Sequence, residues 1–182
     1  KAEPKTSSTQ GGFTGPLDDH DWFGRSVASL GDLDGDGVAD LAVGAMWDDD
    51  GGSERGAVYI LFLNADGTVK AEQKISSTQG GLTGPLGKLD YCGYSVASLG
   101  DLDGDGIADL AVGAPDDDDG GTDRGAMYIL FLNADGTVKD EMKLSASTVR
   151  GALPSAADQN AHKRHPSPPD EMGCAHGPLR AP

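Results

Sequence analysis

The sequence is poor in basic and aromatic residues and contains no long apolar run. Only 14 Lys and Arg accompany 30 Asp and Glu, which gives a formal net charge of −16, and aromatic residues make up 5% of the chain. Phosphate contacts need Lys and Arg, so this charge balance predicts no binding to nucleic acid. No apolar stretch approaches the roughly 20 residues that span a bilayer. We therefore expect no membrane insertion.

Cysteine and histidine are also scarce, which limits the chemistry available to the chain. The two cysteines, Cys92 and Cys174, lie in differently patterned parts of the sequence, and we expect two free thiols. His162, His165 and His176 surround Cys174 without the compact spacing of a zinc site, so we interpret them as incidental composition. The chain also lacks a Gly-x-Ser-x-Gly motif and a histidine-based metal triad. These absences predict a protein that is not an enzyme.

Aspartate and glycine, by contrast, are abundant and recur in two nine-residue loops, DLDGDGVAD and DLDGDGIAD. Calcium takes roughly six to eight oxygen ligands and tolerates irregular geometry, so Asp at loop positions 1, 3, 5 and 9, with the backbone carbonyl of position 7, can surround one ion. Glycines allow the backbone dihedrals that such a loop requires. We predict at least two calcium ions per chain. The predicted ligands are Asp32, Asp34, Asp36, Val38 and Asp40 in the first loop, and Asp101, Asp103, Asp105, Ile107 and Asp109 in the second.

These loops differ from the EF-hand, which places a bidentate Glu at position 12 between two helices. The twelfth residues here are Val43 and Val112, which lie in apolar runs of strand character. The EF-hand interpretation is therefore excluded. The alternative that remains is an acidic turn that holds no metal, since Asp and Gly are ordinary turn residues.

The two loops belong to a longer repeat, because a shift of 69 residues superposes Asp32 on Asp101 and the sequence around each. Two complete units are present, and a third begins at Lys143 but loses the pattern by about Arg150. Within each unit, apolar segments bounded by Gly and Asp predict four strands of an antiparallel sheet and no helix of useful length. The predicted strands are Ser26–Leu30, Asp40–Gly44, Ala57–Leu63 and Thr68–Ile75, followed by Ser95–Leu99, Asp109–Gly113, Ala126–Leu132 and Thr137–Leu144.

Short motifs flank each acidic loop. Phe23-Gly24 precedes the first loop and Gly44-Ala45-Met46 follows it, and the second unit has Gly93 and Gly113-Ala114-Pro115 at the same places. With these motifs the units resemble FG-GAP repeats, the blades of the β-propeller at the head of integrin α subunits and in related bacterial surface proteins. Two residues depart from the family pattern, Cys92 in place of Phe and Met46 in place of Pro.

The resemblance implies an all-β fold of two four-stranded antiparallel propeller blades, with an irregular C-terminal tail. Propellers close with about four to eight blades, so two blades make an incomplete propeller, and we expect a fragment of a bacterial surface or secreted protein. The tail differs in composition because most of the prolines and histidines fall there. The expected divisions are 1–17, the end of a preceding blade and a link; 18–86, the first blade; 87–145, the second blade; and 146–182, the Pro- and His-rich tail.

The family resemblance also implies that calcium stabilises the first hairpin of a blade and that the chain acts in extracellular or cell-surface adhesion or protein recognition. A calcium-stiffened structural or self-assembling array without a specific ligand is an alternative, and a non-catalytic appendage of a secreted enzyme is a further one. Exposed blade faces predict self-association. Acidic loops at 48–54 and 116–123 predict an acidic rim for a cationic protein partner, unless these residues are solvated loop charges.

Overall fold

The computed structural model describes residues 11–148, which form two four-stranded antiparallel sheets in which strand order follows chain order. The first sheet contains β1 (Ser26–Gly31), β2 (Asp40–Ala45), β3 (Ala57–Leu63) and β4 (Val69–Ile75). The second contains β5 (Ser95–Gly100), β6 (Asp109–Ala114), β7 (Ala126–Leu132) and β8 (Val138–Ser145). The predicted all-β class and the two antiparallel sheets are confirmed.

Each strand lies within one residue of its predicted ends. The pairing of β1 with β2 shifts register between Ser29 and Gly31, so that Gly31 pairs with Asp40 and extends β1 to the mouth of the acidic loop. At the other end of β2, Ala45 pairs with Ala57 and adds one residue to β2. Gly31 has a φ of 72°, a left-handed conformation that glycine adopts without strain. The same shift occurs between Ser98 and Gly100 in the second sheet.

The main hydrophobic cluster lies between the two sheets. The first strands of the sheets, β1 and β5, are in contact, and the cluster combines apolar side chains from both sheets. Because β3 is buried along six of its seven residues, its unbroken apolar sequence is explained by packing on both faces. Cluster residues include Val58, Ile60 and Phe62 of the first sheet and Val112, Tyr128 and Leu130 of the second.

The backbone joins the two units at one edge of this interface. Gly56 and Cys92 form an isolated parallel bridge, and the amide of Cys92 donates a hydrogen bond of 3.0 Å to the carbonyl of Arg55. The hydroxyl of Ser26 donates a hydrogen bond of 2.9 Å to the carbonyl of Gly93. Cys92 is a free thiol among the described residues, and burial raises its pKa to about 12, so it stays protonated.

The other face of the first sheet is covered by the segment that precedes it. Phe13 is buried, its ring centroid is 5.0 Å from that of Phe23, and both rings lie 5.5 Å from the ring of Tyr59. Val43 and Leu61 are among the other buried residues of this second hydrophobic cluster. The first sheet is thus buried on both faces.

The second sheet has one open face among the residues that the structure describes. Val58 is 1% exposed, whereas Met127, its equivalent one repeat later, is 40% exposed; Leu30 and its equivalent Leu99 are 5% and 41% exposed. The first sheet buries these positions against the second sheet, and in the second sheet they lie at the surface. We call this surface the open face; its exposed residues are Leu99, Leu102, Met127 and Met142.

The sequence also predicts no membrane insertion and a Pro- and His-rich tail. Across residues 11–148, no helix has the length and apolar character needed to cross a membrane. Cys174, the three nearby histidines and residues 149–182 of the predicted tail lie outside the described residues, as do residues 1–10.

Candidate metal centre

Each acidic loop connects the first two strands of its sheet, so the two loops occupy equivalent places in the two units. Glycines enable the tight turns: Gly35 and Gly37 have φ angles of 81° and 88°, and Gly104 and Gly106 have φ angles of 83° and 91°. A residue with a Cβ resists such conformations. The glycine positions of the motif are therefore explained by the backbone path.

Three carboxylates converge in each loop. Asp32, Asp34 and Asp40 each offer one oxygen, and these oxygens lie within 4.8 Å of one another. The second loop brings together its equivalents, Asp101, Asp103 and Asp109, whose oxygens also lie within 4.8 Å of one another. Three of the four predicted carboxylate ligands of each loop are thus close enough to share one ion.

Asp32 organises the backbone of the first loop. One of its oxygens accepts hydrogen bonds from the amides of Gly35 at 2.8 Å and Asp36 at 2.9 Å, and the other accepts one from Gly37 at 2.9 Å. Asp101 accepts the equivalent three bonds in the second loop. The aspartate at loop position 1 therefore fixes the backbone of the loop and is also one of the three converging carboxylates.

Asp40 anchors the loop to the core of the sheet. It is fully buried, and its two oxygens accept hydrogen bonds from the amides of Leu33 at 2.9 Å and Leu63 at 3.0 Å. Asp109 makes the equivalent bonds to Leu102 and Leu132. Position 9 is consequently a fixed, buried carboxylate facing two exposed ones.

Asp36 and Asp105, also predicted as ligands, lie outside the two convergent groups and pair with lysines instead. Lys70 Nζ forms ion pairs with Asp34 Oδ2 at 2.7 Å and with Asp36, and hydrogen bonds to these two carboxylates raise the pKa of Lys70. The hydrogen bond from Lys70 in turn lowers the pKa of Asp36. In the second loop, Lys139 pairs with Asp103 at 2.8 Å and with Asp105.

Position 7 is the remaining predicted ligand of each loop. The amide of Val38 donates a hydrogen bond of 2.8 Å to Asp36 Oδ1, and the amide of Ile107 donates one of 2.8 Å to Asp105 Oδ1. These bonds fold the second half of each loop back toward its middle. A metal-ligand role for the two carbonyls stays a prediction.

The donor set fits calcium. All of the converging atoms are carboxylate oxygens, the hard ligands that calcium prefers, and two of the three groups in each loop are accessible from solvent. Magnesium demands a smaller octahedron and retains its waters, so it suits an irregular loop less well. Three carboxylates carry a charge that a divalent cation would compensate.

The predicted acidic rim contains buried ion pairs as well as solvated charges. Asp48 is 2% exposed and lies 2.8 Å from Lys74 Nζ, and the equivalent Asp117 lies 2.7 Å from Lys143 Nζ. Burial raises the pKa of neighbouring Asp21, with a further contribution from Asp48. The simple picture of solvated loop charges is therefore wrong for Asp48 and Asp117.

The sequence motifs did not predict the ion pairs between lysines and the aspartates of the loops. Lys70 and Lys74 recur one repeat later as Lys139 and Lys143, and all four contact aspartates. The recurrence of these lysines after 69 residues was the one sequence signal that pointed to them. Which aspartates they contact depends on which loops lie beside β4 and β8 in the folded sheets, and a sequence motif does not contain this information.

Comparison with known proteins gives a match within each of the two repeats. The family model described as FG-GAP repeat matches residues 23–61 and 93–130, each of which contains one acidic loop. Integrin alpha-5 of Xenopus laevis is 42% identical over 98 residues, covering 54% of this chain and 9% of its own length. Integrin alpha pat-2 of Caenorhabditis briggsae is 41% identical over 99 residues, covering 53% of this chain and 8% of its own length.

A third relative extends the match. Integrin alpha-3 of Cricetulus griseus is 33% identical over 123 residues, which cover 68% of this chain and 11% of the relative. The chain therefore spans about a tenth of the length of the relatives it matches.

Proposed function

Because residues 23–61 and 93–130 of this chain are FG-GAP repeats, as their motifs predicted, we propose that it is a calcium-binding segment of an integrin α-type β-propeller that acts in adhesion or protein recognition. The proposed blades are residues 18–86 and 87–145. Calcium held by each acidic loop stabilises the first hairpin of its blade. The proposed setting is extracellular or on the cell surface, and the proposed role is non-enzymatic.

One observation carries the calcium proposal: three aspartates converge at the same place in both repeats. Asp40 is fixed by two backbone amides in the core, so the loop has one rigid ligand before any ion arrives. Asp32 is held by three amides of its own loop. A site with pre-positioned ligands loses less conformational freedom on binding, and this favours the ion.

The proposed ligand sets combine these carboxylates with the remaining loop oxygens. Asp36 and the carbonyl of Val38 complete the first site, and Asp105 and the carbonyl of Ile107 complete the second. In this proposal each ion converts mutual repulsion among carboxylates into attraction to a shared cation. The folded chain, which holds these carboxylates together, binds calcium in preference to the unfolded chain, so calcium raises stability.

Thermal unfolding tests this proposal. The expected result is a higher melting temperature in millimolar calcium than in chelator, and a smaller difference when Asp34→Asn and Asp103→Asn are combined. Asp19→Asn, an exposed aspartate outside both loops, serves as the matched control and retains the full calcium effect. Equal melting temperatures of the unchanged chain in calcium and in chelator would contradict the proposal.

The open face supports a second part of the proposal, self-association. Met127 and Leu99 occupy positions that the first sheet buries against its neighbour, so another sheet of the same kind fits there. A calcium-stiffened array of such units is the alternative function that this observation favours. The remaining exposed acids, such as Asp49 and Asp118, support a cationic protein partner at the acidic rim.

A further inference from the structure

Each acidic loop faces an ammonium group supplied by its own sheet. Lys70 Nζ lies 2.7 Å from Asp34 Oδ2 and also contacts Asp36. Lys139 Nζ lies 2.8 Å from Asp103 Oδ2 and also contacts Asp105. We propose that these two lysines are built-in cations that compete with calcium for the loops and set the calcium concentration at which the loops fill. This inference rests on the proposed calcium function.

Competition follows from the position of Asp34, which belongs to two groups at once. Its carboxylate is one of the three that converge in the first loop, and the same carboxylate pairs with Lys70. A calcium ion that takes Asp34 as a ligand either displaces the ammonium or accepts its repulsion at short range. Both events weaken calcium binding relative to a loop without the lysine. Asp103 and Lys139 stand in the same relation.

The backbone holds each lysine at the loop. Val69, the residue before Lys70, is buried and donates a hydrogen bond of 2.7 Å to the carbonyl of Gly11. Val138 is buried in the same way and donates a bond of 2.8 Å to Gly80. The lysine side chains are about one quarter exposed, so they are partly withdrawn from solvent over the loop. Occurrence in both repeats makes the contact a property of the unit.

The lysines also explain how the loops persist without metal. Several carboxylates in one loop repel one another, and an ammonium shared by two of them reduces that repulsion. The lysine thus stabilises the calcium-free hairpin and at the same time opposes filling of the site. Both effects shift half-saturation toward higher calcium, as suits a site exposed to abundant calcium.

Calorimetric titration of the whole chain with calcium tests the competition. Lys70→Met and Lys139→Met are each expected to tighten calcium binding at their own loop by about threefold to tenfold, since a partly exposed ion pair is lost in each. Each variant is also expected to melt at a lower temperature than the unchanged chain in chelator. Lys70→Arg, which keeps the charge, and Lys88→Met, which removes an exposed lysine outside both loops, are the controls.

The outcomes separate this inference from the proposed function. If the unchanged chain takes up calcium and Lys70→Met and Lys139→Met bind it with the same or lower affinity, the competition is contradicted and the calcium function stands. If the unchanged chain takes up no calcium, both are contradicted. Should Lys70→Met fail to fold, Lys139→Met gives the same comparison at the second loop.

Discussion

Asp40 and Leu63 are joined by a hydrogen bond of 3.0 Å from the leucine amide to a carboxylate oxygen, which ties the acidic loop to the end of β3. The other oxygen of Asp40 accepts a bond from the amide of Leu33 inside the loop. A single buried carboxylate therefore fixes the loop relative to the sheet. Asp109 and Leu132 repeat the relationship at 3.1 Å.

Replacing this anchor is expected to destabilise the fold even without calcium. Asp40→Ala leaves two backbone amides without their acceptor in a buried place, at a cost of about 2–4 kcal/mol in the free energy of unfolding. Asp34→Ala, whose side chain is exposed and paired with Lys70, is expected to cost less than about 1 kcal/mol. Urea unfolding in chelator measures both values. Equal losses would show that Asp40 has no anchoring role.

The junction between the two units gives a matched pair of glycine variants. A Cβ on Gly44 would lie 2.0 Å from the carbonyl oxygen of Gly93, a backbone atom of the next unit. A Cβ on the equivalent Gly113 would meet only the hydroxyl of Ser95, at 2.4 Å, as a close neighbour. Gly44→Ala is therefore expected to lower stability by about 1–3 kcal/mol, and Gly113→Ala by clearly less.

Denaturant unfolding of the two alanine variants in calcium provides the comparison. If Gly113→Ala lowers stability as much as Gly44→Ala, the close packing of the two sheets at Gly93 is not what requires glycine at position 44.

Asp21 gives a prediction for pH. Burial raises its pKa above the ordinary 3.8, as does the charge of Asp48, while the backbone hydrogen bond from Asp18 and the charge of Lys74 oppose the shift. A carboxyl with a raised pKa in the folded state contributes stability below its unfolded pKa and loses that contribution as pH rises through its folded pKa. Asp21→Asn removes this loss.

The stability difference between Asp21→Asn and the unchanged chain is therefore expected to shift in favour of the variant between about pH 4 and pH 7. Unfolding free energies measured across this range in chelator test the expectation. Asp19→Asn, which removes the charge of an exposed neighbouring aspartate, is the control. A difference that moves in favour of the unchanged chain with rising pH would contradict the assignment.

The open face gives a prediction for assembly. Met127 is 40% exposed on a face whose equivalent in the first sheet is buried. We expect concentration-dependent association of the chain, and Met127→Glu should weaken it because a charge would then be buried at the contact. Ala65→Glu, in an exposed turn of the first unit, should leave association unchanged. Sedimentation equilibrium measures this, and a chain that stays monomeric at high concentration would contradict self-association.

Much of the fold could be predicted because Gly and Asp residues mark the ends of the apolar segments in each unit. These segments predicted all eight strands, and the repeat predicted their grouping into two sheets. Burial could not be predicted in the same way. β3 and β7 have nearly the same sequence, but Val58 is buried and Met127 is exposed, since burial depends on which sheet lies alongside.

The candidate site could also be predicted only in part. Spacing alone pointed to both acidic loops, and in the structure one carboxylate oxygen from each of Asp32, Asp34 and Asp40 lies within 4.8 Å of the others. Spacing did not show that Asp36 pairs with Lys70, which comes from a strand 34 residues away in the chain. Contacts of this kind depend on the three-dimensional order of strands, so they follow only once the sheet is built.

Calcium stoichiometry measures the central claim most directly. Equilibrium dialysis in millimolar calcium is expected to find two ions bound per chain, one fewer in Asp34→Ala, one fewer in Asp103→Ala and none in the double variant. Absence of bound calcium in the unchanged chain, or full binding by the double variant, would contradict the assignment of both acidic loops as calcium sites.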